Sequence, residues 1–350
     1  MQLNDFNFEL PENLIARYPL PKRSASRLLH VSGKQEGGLH REFTSVVDLL
    51  DSGDLLVFND TKVIPARLLG WKNTGGQVEI LVERILDEQH ILAQVRASKP
   101  LQSGSYLQLA QHHMLSVVDR QDQFYKLHYA SDKHSILEMI ESIGEIPLPP
   151  YMHRSPEEMD KQRYQTIYAK HKGSVAAPTA GFHFDDEVME KLQAKKVEMG
   201  YLTLHIGAST FAPVRVESIS EHRMHAEYLE VSAELCTKIV AAKARGKRVI
   251  AVGTTSLRAL ETAAQSGSLQ PYRGETSIFI YPGYQFRSAD ALITNLHLPR
   301  STLLMLVCAF GGFDKVMHAY REAVRESYRF YSYGDAMWVE RDLTIAENRL

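Results

Sequence analysis

Between Val63 and about Ala130, apolar and polar residues alternate with a period of two in short runs: VIPARLLGW, QVEILVERIL, HILAQVRAS, SYLQLA, MLSVVDR and FYKLHYA. NTGG, DEQ and QSG turns separate them, with no helical stretch in between. A period of two puts alternate side chains on one face, so these runs predict five or six short strands closing into a small barrel or sandwich. Mixed texture stands on both sides, which makes the module an insertion. The expected division is an α/β part made of residues 1–62 and 148–350, with a barrel-like part from 63 to 147.

The period then changes. SILEMIESIG (135–144) reads as a helix ended by Gly144, and IPLPPY (146–151) as a tether in which Pro147, Pro149 and Pro150 block helix continuation. Ser155 and Pro156 predict the cap and first residue of another helix. Beyond 173, strands and helices alternate: a helix from Asp185 to Met199, a strand YLTLHIG (201–207), and a helix at 233–245 capped by Ser232 and closed by Gly246. A strand RVIAVG (248–253) precedes the helix SLRALETAAQ, and ETSIFIY (275–281) and DALITNL (290–296) are further strands. Helices near 301–310 and 314–326 lead to a last strand at 336–340. The fold class is α/β: a three-layer-like core carrying an inserted all-β module.

Composition narrows the functional classes. The chain has 350 residues, 44% hydrophobic and 23% charged, which excludes disorder, collagen-like repeats and a disulfide scaffold. Forty basic against 42 acidic residues give a net charge of −2, which argues against a non-specific nucleic-acid coat and leaves room for a local basic face. Cys236 and Cys308 read as buried thiols of a reducing compartment. The start MQLNDFNFELPENLIARYP has no basic region leading into an apolar core, and the longest apolar run, Thr302 to Phe310, is too short for a membrane span. A cytoplasmic protein is expected.

Small, polar and glycine residues gather at strand ends. VGTTSLR (252–258) places Gly253 in a tight turn, with Thr254, Thr255 and Ser256 beside the free amides of a helix start, a corner suited to a carboxylate or other anion. An ordinary capped helix explains the same residues. HIGAST (205–210) and SVAAPTAGFHF (174–184) offer His205, His183 and small hydroxyls; Phe182 and Phe184, with YPGYQF (281–286), offer ring faces or plain core. His222 and His225 have metal spacing without readable further ligands, so no metal is expected. Basic residues cluster at Lys161, Arg163, Lys170 and Lys172, and at Lys243, Arg245, Lys247 and Arg248. A dinucleotide G-x-G-x-x-G is missing. These residues point to a pocketed enzyme acting on a polar, nucleoside-like substrate and do not specify its reaction.

The reaction comes from a resemblance. FELPENLIARYPLPKRSASRLL (8–29), GDLLVFNDTKVIPARLLG (53–70), VRASKPLQSG (95–104), IPLPPY, RYQTIYAKHKGSVAAPTAGFHF (163–184), TLHIGASTFAPVR (203–215), HRMHAEY (222–228), VIAVGTTSLRALE (249–261), FIYPGYQF (279–286), TNLHLPRSTLLMLVCAF (294–310) and FYSYGDAM (330–337) together resemble the S-adenosylmethionine:tRNA ribosyltransferase-isomerase family of queuosine biosynthesis. The resemblance implies an α/β fold with an inserted β-barrel and a monomeric cytoplasmic enzyme. It also implies transfer and isomerisation of the ribosyl part of S-adenosylmethionine onto 7-aminomethyl-7-deazaguanine in tRNA, giving epoxyqueuosine, adenine and methionine. S-adenosylmethionine is then a consumed cosubstrate, and no metal or prosthetic group is called for. On that basis His183 and His205 are the expected proton-transfer groups. Gly253, Thr254, Thr255 and Ser256 are expected around the donor, with Phe182, Tyr281 and Tyr284 stacking on its rings. Asp60, Arg96, Lys99, Lys170 and Lys172 are expected on the tRNA side. Two positions depart from the family pattern: Asp60 stands where N-N-T is usual, and Ser209 where glycine is common. A methyltransferase on the same donor and a tRNA-binding scaffold without chemistry are the competing readings.

Overall fold

The computed structural model describes residues 1–32, 38–211 and 213–343; Ala212 of TFAPVR and the last seven residues of the expected α/β part lie outside the described residues. The chain first lays down β1 (Arg27–Val31), β2 (Gly38–Glu42), helix α1 (Val46–Leu49) and β3 (Leu55–Asn59). After β4 (Thr61–Val63) come β5 (Arg67–Lys72), β6 (Gln77–Ile85), β7 (His90–Ala97), β8 (Tyr106–Leu109), β9 (Met114–Gln121) and β10 (Phe124–Tyr129). These six close into a barrel in the order β10-β7-β6-β5-β8-β9. Their inward residues, such as Leu68, Ile80, Ala93, Leu107 and Leu115, form one apolar cluster with Ile136, Met139 and Ile140 of α2 (Ile136–Ile143). Ser135 and Glu138 satisfy each other's backbone amides at the start of α2.

The chain returns through α3 (Glu158–Arg163), β11 (His171–Ser174), α4 (Asp186–Ala194), β12 (Glu198–Leu204), β13 (Glu227–Val231), α5 (Ala233–Ala244), β14 (Val249–Val252) and α6 (Thr254–Ala263). It finishes with β15 (Tyr272–Thr276), β16 (Ala291–Asn295), α7 (Thr302–Gly311), α8 (Phe313–Arg325) and β17 (Ala336–Glu340). One sheet takes nine of the strands in the order β15-β13-β12-β3-β14-β16-β17-β1-β2, and the four in the middle, β12-β3-β14-β16, are parallel. Alternation along β14 sorts the layers. Ile250 and Val252 meet α4 through Val188 and Leu192, whereas Val249 packs with Leu235 and Ile239 of α5 and Leu260 of α6. Helices therefore cover both faces, the three-layer arrangement expected for a buried parallel sheet. No single helix among the described residues is long and apolar enough to cross a membrane; α7 and α8 bend by 120° at Gly312.

Several boundaries move. The helix expected at Ser155 and Pro156 starts at Glu158, because Glu157 and Asp160 form its capping box. The helix expected to run to Met199 stops at Ala194, and β12 begins at Glu198 in register with Leu55 of β3. The strand expected at 275–281 lies at Tyr272–Thr276, where it pairs with β13; Ile278, Phe279 and Ile280 turn away to pack on the α7–α8 core. Helix α6 begins at Thr254, two residues before the expected start, so both threonines are helical.

Candidate functional site

Four parallel strands running the same way bring their C-terminal ends to one edge, the place where open α/β sheets bind ligands. Asp60 and Thr61 follow β3, His205 and Ile206 follow β12, Gly253 follows β14, and His297 follows β16. Gly253 holds φ at +95°, a conformation that favours glycine, and this lets β14 turn straight into the first turn of α6.

Beside that corner lies a slot of about 70 Å³ whose walls include Glu227, Gly253, Thr254, Thr255, Arg258 and Asn295. Two buried polar atoms on its walls, Thr255 Oγ1 and Arg258 Nη2, have no hydrogen-bond partner, while the Asn295 side chain interacts with His183. Neighbouring atoms of the same side chains are engaged. Arg258 Nη1 is ion-paired with Glu227, and Asn295 Nδ2 donates to the Tyr331 carbonyl at 2.9 Å. Orphaned buried polar groups are rare and costly, so two on one small cavity mark a place built for a polar ligand.

Glu227 also lines a groove of about 780 Å³ between the barrel and the core, walled by Glu83 and Arg84 of β6 and by Gly173, His205, Gly207 and Tyr228. Glu83 crosses from the barrel to accept the backbone N–H of Ser209 at 3.1 Å and its hydroxyl at 2.9 Å, and burial pushes its carboxyl up. Arg84 forms an ion pair with Glu275 next to it. His205, Tyr228 and Lys172 in turn border a cleft of about 640 Å³ that holds Asp60, Tyr168, Lys170, His171, Tyr201 and Lys238. Slot, groove and cleft thus follow one another along the strand ends.

His205 stands at the centre of this series. Its Nδ1 is hydrogen-bonded to Thr61 Oγ1 at 2.7 Å and its ring stacks on Tyr228 with centroids 5.8 Å apart. Burial, helped by nearby His171, lowers its pKa to about 4, so the imidazole is neutral at pH 7. Gly173, at φ +145°, leaves room for the ring: a Cβ there would come within 2.9 Å of His205 Nε2. Asp60 accepts from the Thr203 hydroxyl at 2.7 Å with His171 Nε2 at 3.6 Å, and burial raises its pKa. Lys172 pairs with Glu141 of α2 at 2.7 Å.

Not all the expected residues join this series. His183 lies behind the slot, bonded through Nδ1 to Ser26 Oγ at 2.7 Å and lowered to about 4 by burial, with the Asn295 side chain beside it. The Ser256 hydroxyl is spent on the Val252 carbonyl at 2.7 Å. Phe182 packs between Tyr164 and Tyr333. Tyr284 donates to Glu261 at 3.1 Å and Tyr281 packs on Phe279, both against the α7–α8 core, and neither lines the slot, groove or cleft. Arg96 borders a separate cavity of about 230 Å³ against the proline tether, and Lys99 is exposed. No grouping of His, Cys, Asp and Glu among the described residues suits a metal ion. The sequence reading missed Arg258, Glu227, Asn295 and Glu83. Arg258 was within reach, since it ends the quoted VGTTSLR and follows Thr254 by four residues, one helical turn.

Residues 3–339 match the family model described as queuosine biosynthesis protein. The chain belongs to that family. Among solved structures it is similar to an S-adenosylmethionine tRNA ribosyltransferase from Thermotoga maritima, with 36% sequence identity over 95% of this chain and 99% of that one, at a TM-score of 0.55.

Proposed function

We propose that the protein transfers and isomerises the ribosyl part of S-adenosylmethionine onto the aminomethyl nitrogen of 7-aminomethyl-7-deazaguanine at the wobble position of tRNA. The products are epoxyqueuosine in tRNA, adenine and methionine. The observation that carries this reading is the slot at the β14–α6 corner, with its two partnerless buried polar atoms, which shares Glu227 with a groove large enough for a nucleoside.

The chemistry sets three demands. The positive sulfonium acidifies the C5′ protons, so a neutral base has to stand near that carbon. Adenine has to leave as its glycosidic bond breaks, and water has to be kept from the intermediates. The carbons then close into a five-membered ring on the incoming amine, and an alkoxide displaces methionine to form the epoxide. His205, neutral at pH 7 and bordering both groove and cleft, serves as the base. Thr254, Thr255 and the amides of the first turn of α6 hold the polar end of the donor. His183 orients Asn295 from behind the slot rather than moving a substrate proton. In the cleft, Asp60 pairs with the aminomethyl ammonium, while Lys170 and Lys172 meet phosphates of the anticodon arm. The inserted unit, bounded at 63 and 147, walls the groove that receives the extruded base, with Arg96 and Lys99 on its tRNA side. The enzyme works as a cytoplasmic monomer with no metal.

The test is incubation of the pure protein with S-adenosylmethionine and tRNA bearing the aminomethyl base, followed by identification of the small molecules and the nucleoside mass. Adenine and methionine released in step with epoxyqueuosine are expected. S-adenosylhomocysteine would replace the proposal with methyl transfer, and tRNA binding without turnover would replace it with a scaffold.

A further inference from the structure

The Arg258–Glu227 ion pair is 5% and 7% exposed, and the local fold does little to explain it. A buried pair of this kind is seldom more stabilising than apolar side chains of the same bulk, so stability alone does not account for it. Its unused hydrogen-bonding capacity is directed at one place. Arg258 Nε reaches the Ile278 carbonyl at 3.4 Å and Nη1 goes to Glu227, whereas Nη2 is buried on the slot wall with no partner. On Glu227 only Oε2 is engaged; Oε1 makes no hydrogen bond among the described residues. One free cationic donor and one free anionic acceptor therefore share a slot of about 70 Å³, with the Thr255 hydroxyl and the amide end of α6 on the donor side.

We propose that this pair recognises a zwitterionic α-amino-acid group, with Arg258 Nη2 taking the carboxylate and Glu227 Oε1 the ammonium. The proposal rests on the donor reading above and adds the part of the donor that is read. Charge supports the choice. The pair is neutral overall and matches a group that is neutral overall, while a bare phosphate or carboxylate would also face Glu227. Size supports it as well: the slot is far below the ~300 Å³ of a nucleoside-sized pocket. Glu227 lines both slot and groove, so a head group bound here leaves the sulfonium and ribose pointing toward His205.

The experiment compares binding of S-adenosylmethionine with binding of its decarboxylated analogue, by calorimetry without tRNA, in three proteins: the wild type, Arg258→Lys, and a doubly neutral variant carrying Glu227→Gln and Arg258→Met. The wild type is expected to prefer the intact donor by about 10- to 100-fold, the worth of one charge-assisted hydrogen bond. The doubly neutral variant is expected to fall below about threefold discrimination while melting cooperatively. Arg258→Lys keeps the charge and loses the fork, so its preference should lie between the two; it decides the matter if the double variant fails to fold. Equal wild-type affinity for both ligands, or an unchanged preference in the variants, overturns this inference and leaves the donor reading standing. A wild type that binds neither ligand overturns both.

Discussion

His205 titrates well below its ordinary range, and that displacement has a measurable price in stability. In an unfolded chain the imidazole protonates near pH 6.5, whereas in the folded protein burial and His171 hold it to about 4. Between those values the unfolded state binds the extra proton, so acid favours unfolding; the contribution is intact above about pH 7 and is lost as pH falls toward 4. The full displacement corresponds to about 3 kcal/mol. At pH 5, one and a half units below the unfolded value, the loss relative to pH 8 is about 2 kcal/mol. His205→Gln keeps a polar side chain that does not titrate. Urea unfolding of both proteins at pH 8 and pH 5 is the assay. The wild type should lose about 2 kcal/mol more than the variant over that interval. Parallel losses would refute the claim that His205 is held neutral, and with it the choice of His205 as a base ready at pH 7.

Thr255→Val removes a hydroxyl that has no partner in the slot. Donor affinity should drop about tenfold with tRNA affinity unchanged, and stability should hold or rise slightly, read by calorimetry and thermal melting. Gly173→Ala sets a methyl against His205 at a backbone conformation that favours glycine. It should cost about 1–3 kcal/mol in unfolding and lower kcat more than donor KM, since His205 has to shift away from Thr61. Lys170→Gln should weaken tRNA binding evenly across sequences and reduce the slope of log affinity against log salt by about 1, with donor affinity unaffected.

The parts of the fold legible in the sequence were those that local chemistry decides. Period-two alternation between Val63 and Ala130 marked the barrel because each of its strands has one wet face and one dry face. Ser232 marked α5 because a cap needs only its own next three residues. The strands β1 and β3 went unmarked, since Leu28, Leu29 and Leu55–Phe58 are buried on both faces and show no alternation. The site divides in the same way. The GTTS corner is local and was read correctly as a polar helix start, although Ser256 turned out to be committed to its own helix. Glu83, Glu227 and Asn295 meet Ser209, Arg258 and Tyr331 from distant parts of the chain, and spacing carries no trace of those meetings. The rings of Tyr281 and Tyr284 look equally suited to a ligand or to a core, and in the fold both are half-buried against the α7–α8 cluster.

The order in which the ribosome delivers these elements bears on how the sheet is completed. β1 lies between β2 and β17, and Leu28 of β1 is in register with Ala336 of β17. The Arg27–Asp335 bond that fastens this seam spans 308 positions. The barrel strands, by contrast, lie between Arg67 and Tyr129 and can close long before the seam partner exists. At 5–20 residues per second, roughly 10–40 s pass between the end of β10 and the arrival of β17. During that interval one edge of β1, with its buried leucines, has no neighbour, a template for mispairing with other nascent chains. β17 acts as a keystone: a chain that stops short of Ala336 keeps a finished barrel but separates β16 from β1, dividing the sheet that carries the strand-end series.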